Sequence, residues 1–254
     1  MSPRRAVSML ELVIVVALGS LIVIATALAL KNAVKVWVNT SGRDLALREI
    51  FKAQAALQRD LATASAQPNH LQIINSPASL GGGADGHCLH WLSAVNGTTS
   101  EFHTLNDGSG QPYFFRNIFY YVTVPTDYST LFSSTCVGGN EGGFDYNCPF
   151  KILVRGEEDQ NPTFNPSHSG SQDVLLPGIA ALLVRPTGFP RTTARKTVAI
   201  NLLSLQATRN NKEISIDLRA VSIPDARRRS ALGTTSYREG GFTVRSRFSV
   251  FLRN

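Results

Sequence analysis

Residues 12–30 read LVIVVALGSLIVIATALAL and contain no charged side chain. A helix of about 20 mostly apolar residues is long enough to span the hydrocarbon core of a bilayer. Glu11 stands immediately before this run, and Arg4 and Arg5 stand closer to the N-terminus. The two arginines predict that the N-terminus stays in the cytoplasm and that the rest of the chain is exported.

Two ordinary interpretations fit this segment in part. A secretory signal would be cleaved after Ala27 or Ala29, where small residues occupy the required positions. The apolar run is long for the centre of such a signal, and Glu11 at its start is atypical. A plain single-pass anchor would instead hold Glu11 as an interfacial acid near the cytoplasmic headgroups.

A third interpretation rests on residues 6–16, AVSMLELVIVV, which resemble the cleavage and methylation motif of type IV prepilins. In that family a short basic leader ends in glycine, phenylalanine usually follows, and an acid is the fifth residue of the mature chain. Here residues 1–6 form the leader and Glu11 takes the acidic position. Ala6 stands in place of the glycine, and Val7 in place of the phenylalanine. The resemblance implies cleavage by a prepilin peptidase between Ala6 and Val7, followed by N-methylation of Val7.

The resemblance also implies a role for Glu11 in assembly. A charged side chain deep in a bilayer costs about 2.5 to 3.5 kcal/mol on insertion scales, so a partner is needed to offset that cost. The family's partner is the free amine of the mature N-terminus, here Val7, on a neighbouring subunit. The expected partners are therefore other pilin or pseudopilin subunits, the inner-membrane assembly platform and the inner-membrane lipid.

Beyond Lys31 the apolar residues recur at steps of three and four. Members of this stripe are Val34, Trp37, Leu47, Ile50, Leu57, Leu61 and Ala64. The spacing predicts one buried face of a helix that runs from Val7 to Ala66. Residues 57–64, LQRDLATA, resemble the Arg-Asp-Leu segment of larger minor pilins and pseudopilins, and we interpret Arg59 and Asp60 as an ion pair on the solvent side.

After Pro68 short apolar runs alternate with Gly, Pro, Asn and Ser, which predicts strands and loops. The predicted strands cover residues 71–74, 89–92, 114–124, 150–155, 180–185, 198–205, 213–221 and 241–253. The last two alternate between polar and apolar residues, as in an antiparallel sheet with one wet face. Their order resembles the C-terminal strand pair of the type II secretion pseudopilin J and the related minor pilin W.

The predicted fold class is therefore α+β, with a long N-terminal helix packed on an antiparallel β-sheet domain. The predicted organisation is a leader over residues 1–6, a transmembrane helix over 7–31, its amphipathic continuation over 32–67 and a β-rich globular domain over 68–254. The exported domain would follow a single pass through a bacterial inner membrane and later join a pilus or a pseudopilus.

The chain has three cysteines, which suits one disulfide in an oxidising compartment. Cys136 and Cys148 flank a glycine-rich loop, and closing that loop would stabilise the fold by about 3 kcal/mol. We predict that these two are bridged and that Cys88 is free. A metal site at Cys88 with His87 and His90 lacks a fourth ligand, so no metal is predicted.

The sequence has no P-loop, dinucleotide fingerprint, zinc-protease helix or Gly-x-Ser-x-Gly nucleophile elbow. No catalytic residue or cofactor is therefore predicted, and the chain is not expected to be an enzyme. The formal net charge is +7, with the excess in the C-terminal third. Arg227, Arg228 and Arg229 raise the hypothesis that this part contacts DNA. The expected function is a minor pilin or pseudopilin subunit that takes part in filament assembly, initiation or tip formation. The alternative is a single-pass envelope protein whose basic exported domain binds a ligand.

Overall fold

The computed structural model describes residues 8–77, 80, 86–95, 101, 106, 108, 110, 112–133, 148, 150–160, 165–167, 169, 172–222 and 243–252. Ala6 and Val7, Cys136, and the arginines at 227–229 lie outside these residues. The chain divides into two compact units, residues 1–41 and residues 42–254. Helix α1, Met9–Leu61, begins in the first unit and ends in the second.

The second unit contains an antiparallel sheet against which the C-terminal part of α1 packs. Among the described residues the sheet has seven strands in the order of the chain, and each strand is antiparallel to the next. The elements after α1 are β1 (Leu71–Asn75), β2 (His87–Ser93), β3 (Arg116–Thr123), α2 (Tyr128–Phe132), β4 (Lys151–Asp159), β5 (Arg195–Asn210), β6 (Glu213–Val221) and β7 (Thr243–Phe251). The α+β fold class predicted from the sequence is confirmed.

The sheet curls, so that the start of β2 meets the long strand β5. Gly86 forms a parallel bridge with Leu205 and has a φ of +128°. A Cβ atom at position 86 would lie 2.4 Å from the Leu205 carbonyl oxygen. Only glycine therefore suits this close approach of two backbones.

One face of the sheet and one stripe of α1 form the first core. Ala46, Ile50, Ala53, Leu57 and Leu61 of the helix are at most 3% exposed and recur at steps of three and four. They pack against apolar side chains from the strands, including Leu89, Trp91, Ile118, Leu153, Leu205 and Ile216. Ile50, Leu57 and Leu61 belong to the helical pattern read from the sequence, so the period of that pattern predicted which face of this part of the helix is buried.

Two polar contacts help to fix the position of α1 on the sheet. The Glu49 carboxylate accepts a hydrogen bond from the Ile200 backbone N–H at 3.0 Å, and the Ser246 hydroxyl donates to the Gln54 side-chain oxygen at 3.0 Å. These bonds join α1 to β5 and β7. Because hydrogen bonds need specific distances and angles, they select one position of the helix along the sheet, which apolar packing alone does less sharply.

A second core covers the opposite face of the sheet. Phe119, Tyr121, Phe150 and Val154 point into it and meet Leu183 from the segment before β5. The Phe132 ring of α2 stacks on Phe150 with ring centroids 5.2 Å apart. Both faces of the central strands are thus buried, which explains why their sequences are continuous apolar runs.

Three details of the prediction were wrong. The helix ends at Leu61 and not at Ala66, because the chain turns there and Ala64 bridges to Ser93 of β2. Val34 and Trp37 are 52% and 70% exposed, so the buried stripe starts only at Gly42.

The predicted strand over residues 180–185 is a short 3₁₀ helix, Ile179–Ala181, followed by irregular chain. Carbonyl groups of this irregular chain accept hydrogen bonds from side chains and not from a neighbouring strand. Tyr121 donates to the Val184 carbonyl at 2.9 Å, and Arg195 donates to the Leu182 carbonyl at 2.9 Å.

Candidate functional site

The first candidate site is the start of α1, where Glu11 lies. Residues 8–37 are all exposed in this structure, and one window of 18 residues within α1 has a mean hydropathy of 2.8. By length and composition the helix can cross a membrane. The hydroxyls of Ser20 and Thr26 donate to the carbonyls of Ala17 and Ile22 at 2.8 Å, so these two polar side chains are satisfied within the helix.

Glu11 is held by a local contact that the sequence interpretation missed. The Glu11 carboxylate accepts a hydrogen bond from the Ser8 backbone N–H at 3.0 Å, and the Glu11 N–H donates to the Ser8 hydroxyl at 3.2 Å. This reciprocal pair of hydrogen bonds is a capping box, and its sequence signature, Ser-x-x-Glu, is present in residues 8–11. Glu11 therefore has a structural use even in an isolated chain, and any test of its role in assembly has to separate charge from capping.

The second candidate site is a cluster of buried charges where the end of α1 meets β3 and β4. The Arg155 guanidinium lies between two carboxylates, with Nε 2.5 Å from Asp60 and Nη1 2.7 Å from Glu157. Glu157 also pairs with Arg116, and the Tyr120 hydroxyl donates to Asp60 at 2.9 Å. The side chains of Asp60 and Glu157 are only 7% and 5% exposed.

The cluster corrects the interpretation of Arg59 and Asp60 as a solvent-side pair. The Arg59 side chain is 73% exposed, but Asp60 is on the buried stripe of α1. The signal was present in the sequence, because position 60 follows Ala53 and Leu57 at helical spacing. The partners of Asp60 could not be predicted from the sequence, because Tyr120 and Arg155 are distant from Asp60 along the chain.

The electrostatics of the cluster keep its members in one protonation state. Burial by itself would raise the pKa of Asp60, but Arg155 and Arg59 hold that pKa below its ordinary value of 3.8. Burial, together with the Asp60 charge, raises the pKa of Tyr120 well above its usual value, so Tyr120 remains a donor. The stability that Asp60 contributes is complete above about pH 4 and is lost as the pH falls through its lowered pKa.

A buried histidine lies elsewhere in the same sheet. His90 of β2 is fully buried, and its Nε2 is 2.8 Å from the Asn117 side-chain oxygen, while its Nδ1 is 2.7 Å from the Gln72 amide nitrogen. This geometry suits a neutral ring that donates through Nε2 and accepts at Nδ1. Burial lowers the pKa of His90 to about 4, and the bond to Asn117 opposes that shift only in part.

His90 is therefore expected to make the fold acid-sensitive. The unfolded chain takes up a proton near pH 6.5 and the folded chain only near pH 4, so stability is lost as the pH falls between these values. The loss expected from His90 is roughly 3 kcal/mol. Urea unfolding at several pH values measures how the free energy of unfolding depends on pH. His90→Gln should make this dependence weaker, whereas His87→Gln, at a half-buried site, should leave most of the dependence unchanged. An unchanged slope in His90→Gln would contradict the assignment.

Cys88 and Cys148 lie in the second core. Cys148 is disulfide-bonded, and Cys88 is a buried free thiol. Burial raises the pKa of the Cys88 thiol to about 12, and a hydrogen bond with Ser76 opposes this only weakly. Cys136 lies outside the described residues, so its pairing with Cys148 stays a prediction.

Peptide mapping without reduction is expected to recover Cys136 linked to Cys148. Cys88 should react slowly with alkylating reagents in the folded protein, because little thiolate forms at neutral pH. Unfolding in urea without reductant should make Cys88 alone reactive. Recovery of a Cys88 bridge, or of all three thiols in reduced form, would contradict the pairing.

Within the described part of the chain, no group of three His, Cys, Asp or Glu residues is placed to hold a metal ion. No protein-family model, curated protein or solved structure matches the chain.

Proposed function

We propose that this chain is a minor pilin or pseudopilin subunit. The observation that carries the proposal is the N-terminal helix, in which an uninterrupted exposed apolar run follows a single acid, Glu11. The same helix continues into the domain, where its other half forms part of the core. This combination supports a subunit that is stored in the membrane and then packed into a filament through the same apolar surface.

The exposed apolar residues of this run are expected to be buried against lipid or against other proteins. Soluble monomers rarely expose contiguous apolar patches of more than a few hundred square ångströms. Lipid covers such a helix in the membrane, and the helices of neighbouring subunits would cover it in a filament. The proposed partners are the prepilin peptidase, other pilin or pseudopilin subunits, the assembly platform and inner-membrane lipid. The proposed location is the bacterial inner membrane with the domain exported, and then the filament.

A second candidate is a single-pass envelope protein that binds a ligand with its exported domain. The same helix is compatible with it, because an anchor needs only length and hydropathy. Processing separates the two candidates, since an anchor keeps its N-terminus and a prepilin loses its leader.

Intact-mass and N-terminal peptide analysis of the protein from its native membrane is expected to give Val7 as the first residue, with or without a methyl group. Replacing Ala6 by tryptophan should leave the leader attached, because the peptidase is expected to need a small residue there. The matched change Ser2→Trp should be processed normally. A native chain that still starts at Met1 would favour the plain anchor.

A minor subunit is also expected to be scarce. The chain is longer than a typical major pilin, and quantitative proteomics of sheared filaments should find it far below the main subunit. Its recovery as the dominant filament protein would contradict the assignment as a minor subunit.

A further inference from the structure

A pocket of about 400 Å³ opens beside the buried charge cluster. The charged residues that line it are Arg59, Asp60, Arg155, Glu157, Arg191 and Lys196. Four are cationic and two are anionic, which leaves two positive charges in excess. The pocket lies entirely within the unit of residues 42–254.

Three of the cations stand in a row across neighbouring chain segments. Arg155 of β4 is directly opposite Lys196 of β5, and Lys196 is directly opposite Arg191 at an antiparallel bridge. Residues opposed in this way point to the same face, with Cβ atoms about 4.5 to 5.5 Å apart. Arg195, next to Lys196, turns to the other face and lies over the Phe119 ring at 4.8 Å, as the alternation of a strand requires.

Only the first cation of the row is neutralised. Arg155 has Asp60 and Glu157, whereas neither Arg191 nor Lys196 has an ion-pair partner in the part of the chain that the structure describes. Like charges directly opposite each other on a sheet are destabilising. An anion between them would convert this repulsion into attraction.

Hydrogen bonds order the backbone around the two unpaired cations. The Thr197 N–H donates to the Pro190 carbonyl at 2.8 Å, and the Glu157 N–H donates to the Ala194 carbonyl at 3.1 Å. The turn between these residues is closed by a bond from the Arg195 N–H to the Thr192 hydroxyl at 3.1 Å. These bonds fix the backbone that carries the exposed side chains of Arg191 and Lys196, so the backbone part of the ordering cost of binding a ligand is already met.

We propose that this pocket binds a carboxylate group that bridges Arg191 and Lys196. A guanidinium group matches the two oxygens of a carboxylate, and an ammonium group adds a third donor direction. Asp60 and Glu157 line the same pocket, so a singly charged carboxylate meets less repulsion there than a doubly charged phosphate. The carboxylate belongs either to a small free acid or to an acidic side chain of another protein. Carboxylate binding at this pocket does not require that the chain is a filament subunit.

The test is calorimetric titration of the full-length chain in nonionic detergent at low ionic strength, with acetate, a hexaglutamate peptide and inorganic phosphate as separate probes. The pocket variant is Arg191→Gln/Lys196→Gln. The control is Arg48→Gln/Lys212→Gln, which removes the same charge from exposed sites that do not line the pocket. We expect saturable single-site binding of a carboxylate probe that is at least about tenfold weaker in the pocket variant and nearly unchanged in the control.

Stability provides a second readout. Without ligand the pocket variant should melt at the same temperature as the native chain or higher, because a like-charge contact is removed. If the double variant does not fold, Lys196→Gln alone takes its place in the titration. Equal binding of the two carboxylate probes would identify a small free acid as the ligand, and much tighter binding of the peptide would identify a protein segment. Tighter binding of phosphate than of either carboxylate probe, equal binding by the native chain and the pocket variant, or no binding would overturn the proposal.

Discussion

Replacing Glu11 by glutamine is expected to reduce the filament-associated fraction of the protein roughly a hundredfold while leaving membrane insertion intact. In the proposed assembly Glu11 pairs with the Val7 amine of a neighbouring subunit. Removing one partner of a buried ion pair costs about 3 kcal/mol, which corresponds to that factor. Insertion should be unaffected or easier, because a costly acid has been removed from the proposed membrane segment. The measurement is the ratio of filament-associated to membrane-associated protein at matched expression.

Glutamine is chosen because the structure shows one use for Glu11 and the proposed assembly gives it a second one. Its side chain caps the helix with Ser8, and glutamine also serves in a capping box, so Glu11→Gln removes charge and keeps the cap. Ser8→Ala is the matched control that weakens the cap, by about 1 kcal/mol, and keeps the charge. Glu11→Ala removes both the charge and the cap.

The pattern across these variants decides the role of Glu11. Assembly through the Val7 amine predicts failure of both Glu11 variants and near-normal assembly of Ser8→Ala. Loss of assembly in Ser8→Ala, with normal assembly of Glu11→Gln, would show that capping is what matters. Normal assembly of all three would return the N-terminal segment to the interpretation as a plain anchor.

Replacing Asp60 by alanine is expected to lower the free energy of unfolding by about 3 kcal/mol or more. The change leaves the Arg155 guanidinium with one carboxylate in place of two and removes the acceptor of the Tyr120 hydroxyl. Because Asp60 joins the end of α1 to β3 and β4, the loss also loosens the attachment of the helix to the sheet. Urea unfolding of the full chain in nonionic detergent measures it.

Trp91 is a convenient reporter for this experiment. Its indole is fully buried and stacks on the Tyr120 ring at 5.5 Å, so its fluorescence should follow the packing around the cluster. Asp44→Ala, at an exposed position of the same helix, is the matched control and should change stability by no more than about 0.5 kcal/mol.

A double variant tests whether the effect is electrostatic. Buried ion pairs can often be replaced by apolar residues at little cost, so Asp60→Leu/Arg155→Met should recover much of the stability lost in Asp60→Ala. Glu157 would keep Arg116 as its partner in that background. If Asp60→Ala behaves like Asp44→Ala, the cluster contributes nothing and its burial needs another explanation.

The sequence by itself determined the features that depend on local period and composition. The apolar run of residues 12–30 is long enough for a membrane helix whatever the rest of the chain does, because span length depends only on rise per residue and hydropathy. Strict alternation placed β6 at Glu213–Val221, and the steps of three and four identified the buried stripe from Ile50 to Leu61. The cap formed by Ser8 and Glu11 was equally local.

The tertiary structure alone decided which distant charges meet. Asp60, Tyr120 and Arg155 come from three different elements, and the order and register of the strands bring them together. In β4 and β5 that register includes irregularities between Lys151 and Ile152 and between Leu153 and Val154, which no periodic pattern predicts. The row of Arg155, Lys196 and Arg191 follows from the same pairing. A local pattern reports which face of an element is buried, but the partner across the interface depends on how the whole chain folds.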